Sequence, residues 1–445
     1  MITSIIRRRQ GVFLLAAVAA LSGCVNAKFK TNEPLRGFVI ADEPRAAQIG
    51  RDMLEAGGSA ADAAAAMALT MAATLPSRAG LGAGGVCLVF DAAEKTTRTL
   101  DFMPRPAAPG SAAAAPGLMR AMAVLHARGG KLRWEKVSVA AEQEAYRGVV
   151  VSRALAADVK AAGAAPFPIP AEGGQFIQTE LGATLSQARR AGLGAFYGGA
   201  TGAALAQATG MTPQALAGVR PEWRDTVKTG FDYYELHFPV TPEGPSGQAM
   251  LAAWTAGDKA KPETRLAAAL EALRRASGGS AAVIGAHPAN GGGAAAPGAA
   301  VLAVDGKEHA AACALTMGGL FGTGRVVPGT GVIPAKPVSG TGFGMPVLFT
   351  NHIVGRTRFA AVGTAQGGEA LPAGPASALA VALPGLLDEG KAPDIIAARP
   401  AELPGRIAAV TCQPAQENLL KICQAGTDPR VPSLAFVIET DPKEQ

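Results

Sequence analysis

Apolar positions in this chain fall into short blocks that switch between two periods. Gly37-Phe38-Val39-Ile40-Ala41 is a continuous apolar run of strand length. Glu43-Pro44-Arg45 behind it is a helix start with proline in the first turn. The helix it opens runs to Ala56 and stops at Gly57-Gly58. Ser59, followed by Asp62, is an N-cap with an acid at the third helical position. The helix it predicts, Ala60 to Leu75, is dominated by alanine and has almost no polar face, which suits complete burial. Val86-Cys87-Leu88-Val89-Phe90 predicts another strand. Ala299–Val304, the Asp305-Gly306 turn and His309–Thr316 predict a β-hairpin. Thr212-Pro213 starts a further helix by the same capping logic. No repeat, linker or compositional break interrupts these blocks, so they predict one mixed α/β domain.

The amino-terminus follows a different pattern. Arg7, Arg8 and Arg9 precede an apolar stretch from Gly11 to Leu21, which ends in Leu21-Ser22-Gly23-Cys24. A basic region, a short apolar core and small residues predict a secretory signal over residues 1–23 rather than a spanning helix. The Leu-Ser-Gly-Cys ending resembles a bacterial lipobox. That resemblance implies acylation of Cys24 and attachment to a membrane through a lipid anchor. Val25 at the next position is similar to lipoproteins sorted to the outer membrane, so the expected location is the periplasm-facing side of that membrane. Residues 24–36 are then a polar tether, and 37–445 a single domain.

Charge adds little. The formal net charge is +6, and removal of residues 1–23 takes away three arginines and leaves +3. No run of lysine and arginine with interleaved aromatics occurs, so nucleic acid is not an expected partner. Gly80-Leu81-Gly82-Ala83-Gly84-Gly85 matches a dinucleotide-binding string. It leads into a strand rather than a helix, so that reading fails on context. The five histidines show no spacing suited to a metal, and no cofactor is expected. Cys87 and Cys313 lie inside apolar strand-like runs and read as packing residues. Cys412 and Cys423 flank a short polar segment, and a disulfide between them suits an exported chain.

A colinear set of motifs carries one family resemblance. Gly57-Gly58-Ser59-Ala60-Ala61-Asp62-Ala63-Ala64, Gly82-Ala83-Gly84-Gly85-Val86 through Asp91, and Leu100-Asp101-Phe102-Met103 come first. Gln178-Thr179-Glu180-Leu181-Gly182, Gly194-Ala195-Phe196-Tyr197-Gly198-Gly199 and Pro242-Glu243-Gly244-Pro245-Ser246-Gly247 follow. Phe321-Gly322-Thr323-Gly324, Gly363-Thr364-Ala365-Gln366-Gly367-Gly368 and Asp428-Pro429-Arg430 close the series. In order and spacing, over residues 37 to 435, the chain resembles the γ-glutamyltransferase family of N-terminal-nucleophile hydrolases. The fold this implies is α/β, a stacked four-layer αββα sandwich.

The same resemblance maps the family's reactive groups onto this chain, where several change. Anchoring the family's T-T-H-x-S-V-V-D-x-D-G segment on Asp305-Gly306 puts its nucleophilic threonine at Ala296, its histidine at Gly298 and its serine at Ala300. The arginine of LDFRE falls on Met103, with Arg105 two residues on as a displaced substitute or simply part of a rigid exposed loop. The asparagine before the FGTG run falls on Gly318, and the serine pair before M-T-P falls on Gly342-Phe343. The family's acidic N-N-x-M-D-D loop falls on residues 335–340, which carry no acid. Gly367-Gly368 is what remains of the oxyanion hole.

The expectation is a γ-glutamyltransferase-like lipoprotein that has lost its chemistry and serves in binding or assembly, its partner a small peptide or an envelope protein. The rival is an active periplasmic amidohydrolase with a relocated nucleophile, for which Ser277, Ser280, Cys313 and Thr316 are the nearest residues.

Overall fold

The structure, a computed structural model, describes residues 35–242, 246–276, 295–338, 340–369, 372–388, 390–400, 402–412, 423–430 and 432–439. The expected signal, Cys24, nearly all of the tether, Ser277 and Ser280 lie outside the described residues.

Two antiparallel sheets form the centre. One has seven strands in the order Leu434–Glu439, Leu35–Ala41, Gly298–Asp305, Ala310–Thr316, Gly84–Asp91, Thr96–Phe102 and Glu222–Arg224. The other has six, in the order Cys423–Thr427, Arg406–Cys412, Arg356–Thr364, Gly344–Asn351, Tyr234–Phe238 and Val227–Phe231.

Strand alternation decides which side chains meet. Phe38, Ile40, Leu88, Ala300, Leu302 and Val304 of the first sheet turn inward against Leu348, Ala360, Val362, Ala408 and Val410 of the second. The intervening positions Val39, Ala41, Cys87, Val301, Ala303 and Cys313 face a helical layer instead. Each sheet is thus buried on both faces, which is why its central strands read as unbroken apolar runs rather than alternating ones. Every residue of the alanine-rich helix Ala60–Thr74 is buried in the layer over the first sheet. The helix Ala373–Leu387 and its neighbours Ser246–Lys259 and Arg265–Ala276 cover the second. The result is the four-layer αββα sandwich.

The sequence signals for local structure correspond to real contacts. Ser59 and Asp62 form a reciprocal capping box at the start of Ala60–Thr74. Asp62 Oδ2 also accepts from the backbone N–H of Lys131 at 2.8 Å and Leu132 at 3.1 Å. The helix therefore begins in a fixed relation to a loop 70 residues away in sequence. Asp305, in the predicted hairpin turn, accepts from the N–H of Ala60 at 3.1 Å through its Oδ2. The turn residue of the hairpin thus satisfies a free donor at the helix N-terminus.

One expectation is corrected. Cys87 and Cys313 are not simply packing residues: they form a disulfide, with Cα atoms 4.0 Å apart. They stand directly opposite each other in the register of two adjacent antiparallel strands, 226 residues apart in sequence. Paired positions on one sheet face bring side chains close enough to bridge, but that register is a property of the assembled sheet. Cys412 and Cys423 are likewise opposite each other across neighbouring strands and are disulfide-bonded, with a Cα separation of 3.9 Å.

Candidate active site

A cavity of about 880 Å³ lies at one end of the sandwich, where the strand Gly298–Asp305 begins. That volume is in the range that holds a small organic ligand. Ala295, Ala296 and Pro297, the residues leading into the strand, form one wall. Gly367 and Gly368, just beyond the strand Arg356–Thr364, line the cavity beside them. The two segments are stitched together: Ala295 N–H donates to the Glu369 carbonyl at 2.6 Å, and Gly368 N–H donates to the Ala295 carbonyl at 3.1 Å.

The backbone here demands glycine. Gly367 and Gly368 have φ of +107° and +76°, a region that other residues rarely adopt. The bond from Gly368 N–H to Ala295 also commits that donor inside the protein, whereas an oxyanion hole must hold its donors ready for a reacting oxygen. At Gly318, with φ +70°, an added Cβ would stand 2.1 Å from the Lys336 carbonyl oxygen. No larger side chain fits there in this conformation.

Charge enters the cavity from two arginines. Arg78 is held by Asp158, of the helix Arg153–Ala162, with Nε 2.6 Å from Oδ2 and Nη2 2.5 Å from Oδ1. Ser77 donates to the same carboxylate at 2.6 Å. The pair is almost fully enclosed, each side chain 3% exposed. The third arm of Arg78, Nη1, donates to the Gly298 carbonyl at 3.1 Å and so fixes the head of the strand. Arg406, at the start of the strand Arg406–Cys412, is the second arginine of the wall. Burial, reinforced by the neighbouring positive charge of Arg78, pushes its pKa down to about 10.

None of Arg78, Asp158 and Arg406 was singled out by the sequence reading. A lone charge in a long uncharged stretch, as Arg78 is between Ala63 and Phe90, was the available signal, since arginine is rarely buried unless paired.

A family profile described as Gamma-glutamyltranspeptidase matches residues 46–285, more than half of the chain. The chain belongs to the gamma-glutamyltranspeptidase family. Scoloptoxin SSD14 of Scolopendra dehaani is 28% identical to it over 229 residues, 42% of this chain and 39% of that protein. Glutathione hydrolase 7 of Homo sapiens is 31% identical over 137 residues, 27% of this chain and 20% of the relative. The matched segments thus span less than half the length of these curated relatives. The crystal structure of cephalosporin acylase from Bacillus halodurans aligns with a TM-score of 0.72 at 17% identity, over 94% of this chain and 99% of that one. This likeness is one of fold, the stacked sandwich of N-terminal-nucleophile hydrolases.

Against the gamma-glutamyltranspeptidase pattern, the structure gathers some of the mapped positions and disperses others. Ala296, Gly318, Gly342, Phe343, Gly367 and Gly368 all line the one cavity. Met103 does not; it is packed between the two sheets. Arg105 does not line the cavity either. Its Nη2 donates to Asp101 at 2.7 Å, and the same carboxylate oxygen accepts from Arg224 Nε at 2.8 Å. Among the described residues no group of three or more His, Cys, Asp or Glu side chains is placed to hold a metal ion.

Proposed function

We propose that this chain is a gamma-glutamyltranspeptidase-like envelope lipoprotein that does not turn over γ-glutamyl substrates and works by binding, its partner a small peptide or an envelope protein. One observation carries the reading. Among the described residues that line the cavity, no side chain bears a hydroxyl, thiol, imidazole or amine. Amide transfer of this kind needs an activated nucleophile within reach of the substrate carbonyl. At the mapped nucleophile position, Ala296 offers a methyl group.

The relocated-nucleophile alternative finds little support from its two described candidates. The sulfur of Cys313 is bonded to Cys87. The hydroxyl of Thr316 is buried, donates to the Pro297 carbonyl at 2.7 Å and accepts from Gly318 N–H at 2.9 Å. It holds the turn into the strand rather than facing a ligand.

Two measurements test the proposal. Purified protein should run as one polypeptide on a denaturing gel, with no fragments separating between residues 285 and 300. It should also release no anilide from a γ-glutamyl anilide. Nucleophile loss in another hydrolase family lowers turnover about a million-fold, so wild-type release should equal that of Ala296→Gly. Release abolished by changing one nearby serine or threonine would promote the active amidohydrolase.

The anchor is tested separately. Mass spectrometry of protein extracted from bacterial outer membranes should find an acylated peptide beginning at Cys24. A soluble form starting elsewhere would remove the lipoprotein part of the proposal. Among the described residues no helix is long and apolar enough to cross a membrane.

A further inference from the structure

Arg406 is a charged group that the fold buries without completing its contacts. Its side chain is 6% exposed and lies on the cavity wall. Its Nε is enclosed and meets no hydrogen-bond acceptor. Arg78 on the same wall shows what completion looks like, with a carboxylate matched to two of its nitrogens. Burying a guanidinium without such a match is costly, and arginine stays charged at neutral pH even with the depressed pKa of about 10.

The acids around Arg406 are already engaged. Asp158 is held by Arg78 and Ser77. Glu369 accepts from Gln366 N–H at 2.7 Å and Gly405 N–H at 2.8 Å. Asp42 accepts from Ala300 N–H at 2.9 Å and the Ser433 hydroxyl at 2.8 Å. Two more buried polar atoms lack partners close by. One is Oγ1 of Thr364, the residue opposite Arg406 in the sheet register. The other is Oγ1 of Thr341, between the cavity-lining Gly340 and Gly342. Neither threonine lines the cavity, but Arg406 does, and a buried guanidinium with an unpartnered nitrogen on a cavity wall indicates where a ligand supplies what the protein does not.

The surroundings also narrow the ligand. Arg78 is neutralised by Asp158, and Asp42, Asp158 and Glu369 all act electrostatically on Arg406. Among the described residues Arg406 is thus the one guanidinium of the wall without a matched carboxylate, and with three acids nearby the setting suits a monoanion better than a doubly charged phosphate. Ala157, Ala161, Leu320, Val338 and Phe343 make much of the remaining wall apolar.

We propose that the cavity takes a small carboxylic acid with an apolar body, and that Arg406 receives its carboxylate. A guanidinium and a carboxylate match in a bidentate arrangement that fixes orientation as well as charge. The position differs from that of Met103, where the resemblance to the family places the carboxylate clamp and where the chain is closed between the sheets. The inference names a ligand class for the cavity and rests on the binding reading above.

Calorimetric titration of the full chain with hexanoate, hexanamide and inorganic phosphate tests it. Hexanoate should bind wild type at least about tenfold more tightly than either other probe, the margin expected of a charge-assisted contact. Arg406→Gln should lose that preference, and Arg406→Lys should keep part of it as a point charge without the planar fork. Without ligand, Arg406→Gln should unfold at a denaturant midpoint no lower than wild type, because the buried guanidinium has no matched, hydrogen-bonded acid to offset its desolvation. Equal binding of hexanoate and hexanamide, tighter binding of phosphate, no binding of hexanoate, or unchanged binding in Arg406→Gln would each overturn the assignment. A lowered midpoint with unchanged affinity would make Arg406 a structural residue. Anilide release measured on the same samples judges the non-catalytic reading separately, since hexanoate has no bond to hydrolyse.

Discussion

Arg78→Met should unfold in denaturant with a loss of about 3–5 kcal/mol, the range for breaking a buried ion pair on one side. The reason is Asp158. With Arg78 gone, its carboxylate, 3% exposed in the intact protein, keeps only the Ser77 hydroxyl among its hydrogen-bond partners. The same substitution removes the bond from Nη1 to the Gly298 carbonyl, so the head of the strand beside the cavity loses its tie to the helical layer. The double variant Arg78→Met/Asp158→Leu should recover most of the loss, because two apolar groups of similar volume leave no orphaned charge. Urea denaturation of the three proteins reads this directly. A single variant within about 1 kcal/mol of wild type, the scale of an exposed pair, would show that water reaches the pair and that it is not the closed contact described above.

Removing the Cys87–Cys313 disulfide should cost more than removing Cys412–Cys423, and the difference follows from chain length. The first closes a separation of 226 residues and the second one of 11. A cross-link stabilises mainly by restricting the unfolded chain, which gives about 5 kcal/mol for the long loop and about 3 kcal/mol for the short one. The comparison is between Cys87→Ala/Cys313→Ala and Cys412→Ala/Cys423→Ala, each against wild type in urea. The long-loop variant also leaves two small side chains facing the buried helix layer, where lost packing adds to the difference. Equal losses, or a greater loss from the short loop, would contradict this ordering. Added reductant should lower the midpoint of wild type and leave the variant lacking both bridges unchanged.

Ala296 shows how much of the site could be read in advance. Motif order maps it, Gly318, Gly342, Phe343, Gly367 and Gly368 onto the family's site, and one cavity collects all six. The motifs could do this because they sit at strand ends, where spacing along the chain is tied to spacing across a sheet. Arg78, Asp158 and Arg406 have no such linkage. They come from three separate stretches of sequence and meet only when helix and sheet layers stack. Met103 and Arg105 illustrate the converse. They stand two residues apart, Met103 inside the family's LDFRE segment and Arg105 just past it, yet one is packed between the sheets and the other is bound to Asp101 and does not line the cavity.

What the sequence determined by itself was local and periodic. Ser59 and Asp62 specify a helix start through atoms three residues apart. The apolar blocks specify strands buried on both faces, and Asp305-Gly306 specifies the hairpin that joins two of them. These features depend on contacts a few residues apart, where the chain's own geometry leaves few choices. The tertiary structure alone decided that Cys87 faces Cys313, which carboxylate answers Arg78, and that Nε of Arg406 has no acceptor. Those outcomes depend on the register between strands and on the stacking of layers, which join residues up to hundreds of positions apart. A cysteine or an arginine reads the same in sequence whether its partner is opposite it or absent. Only the assembled sandwich sets the distance between them, and that distance decides whether the group becomes a bond or a binding site.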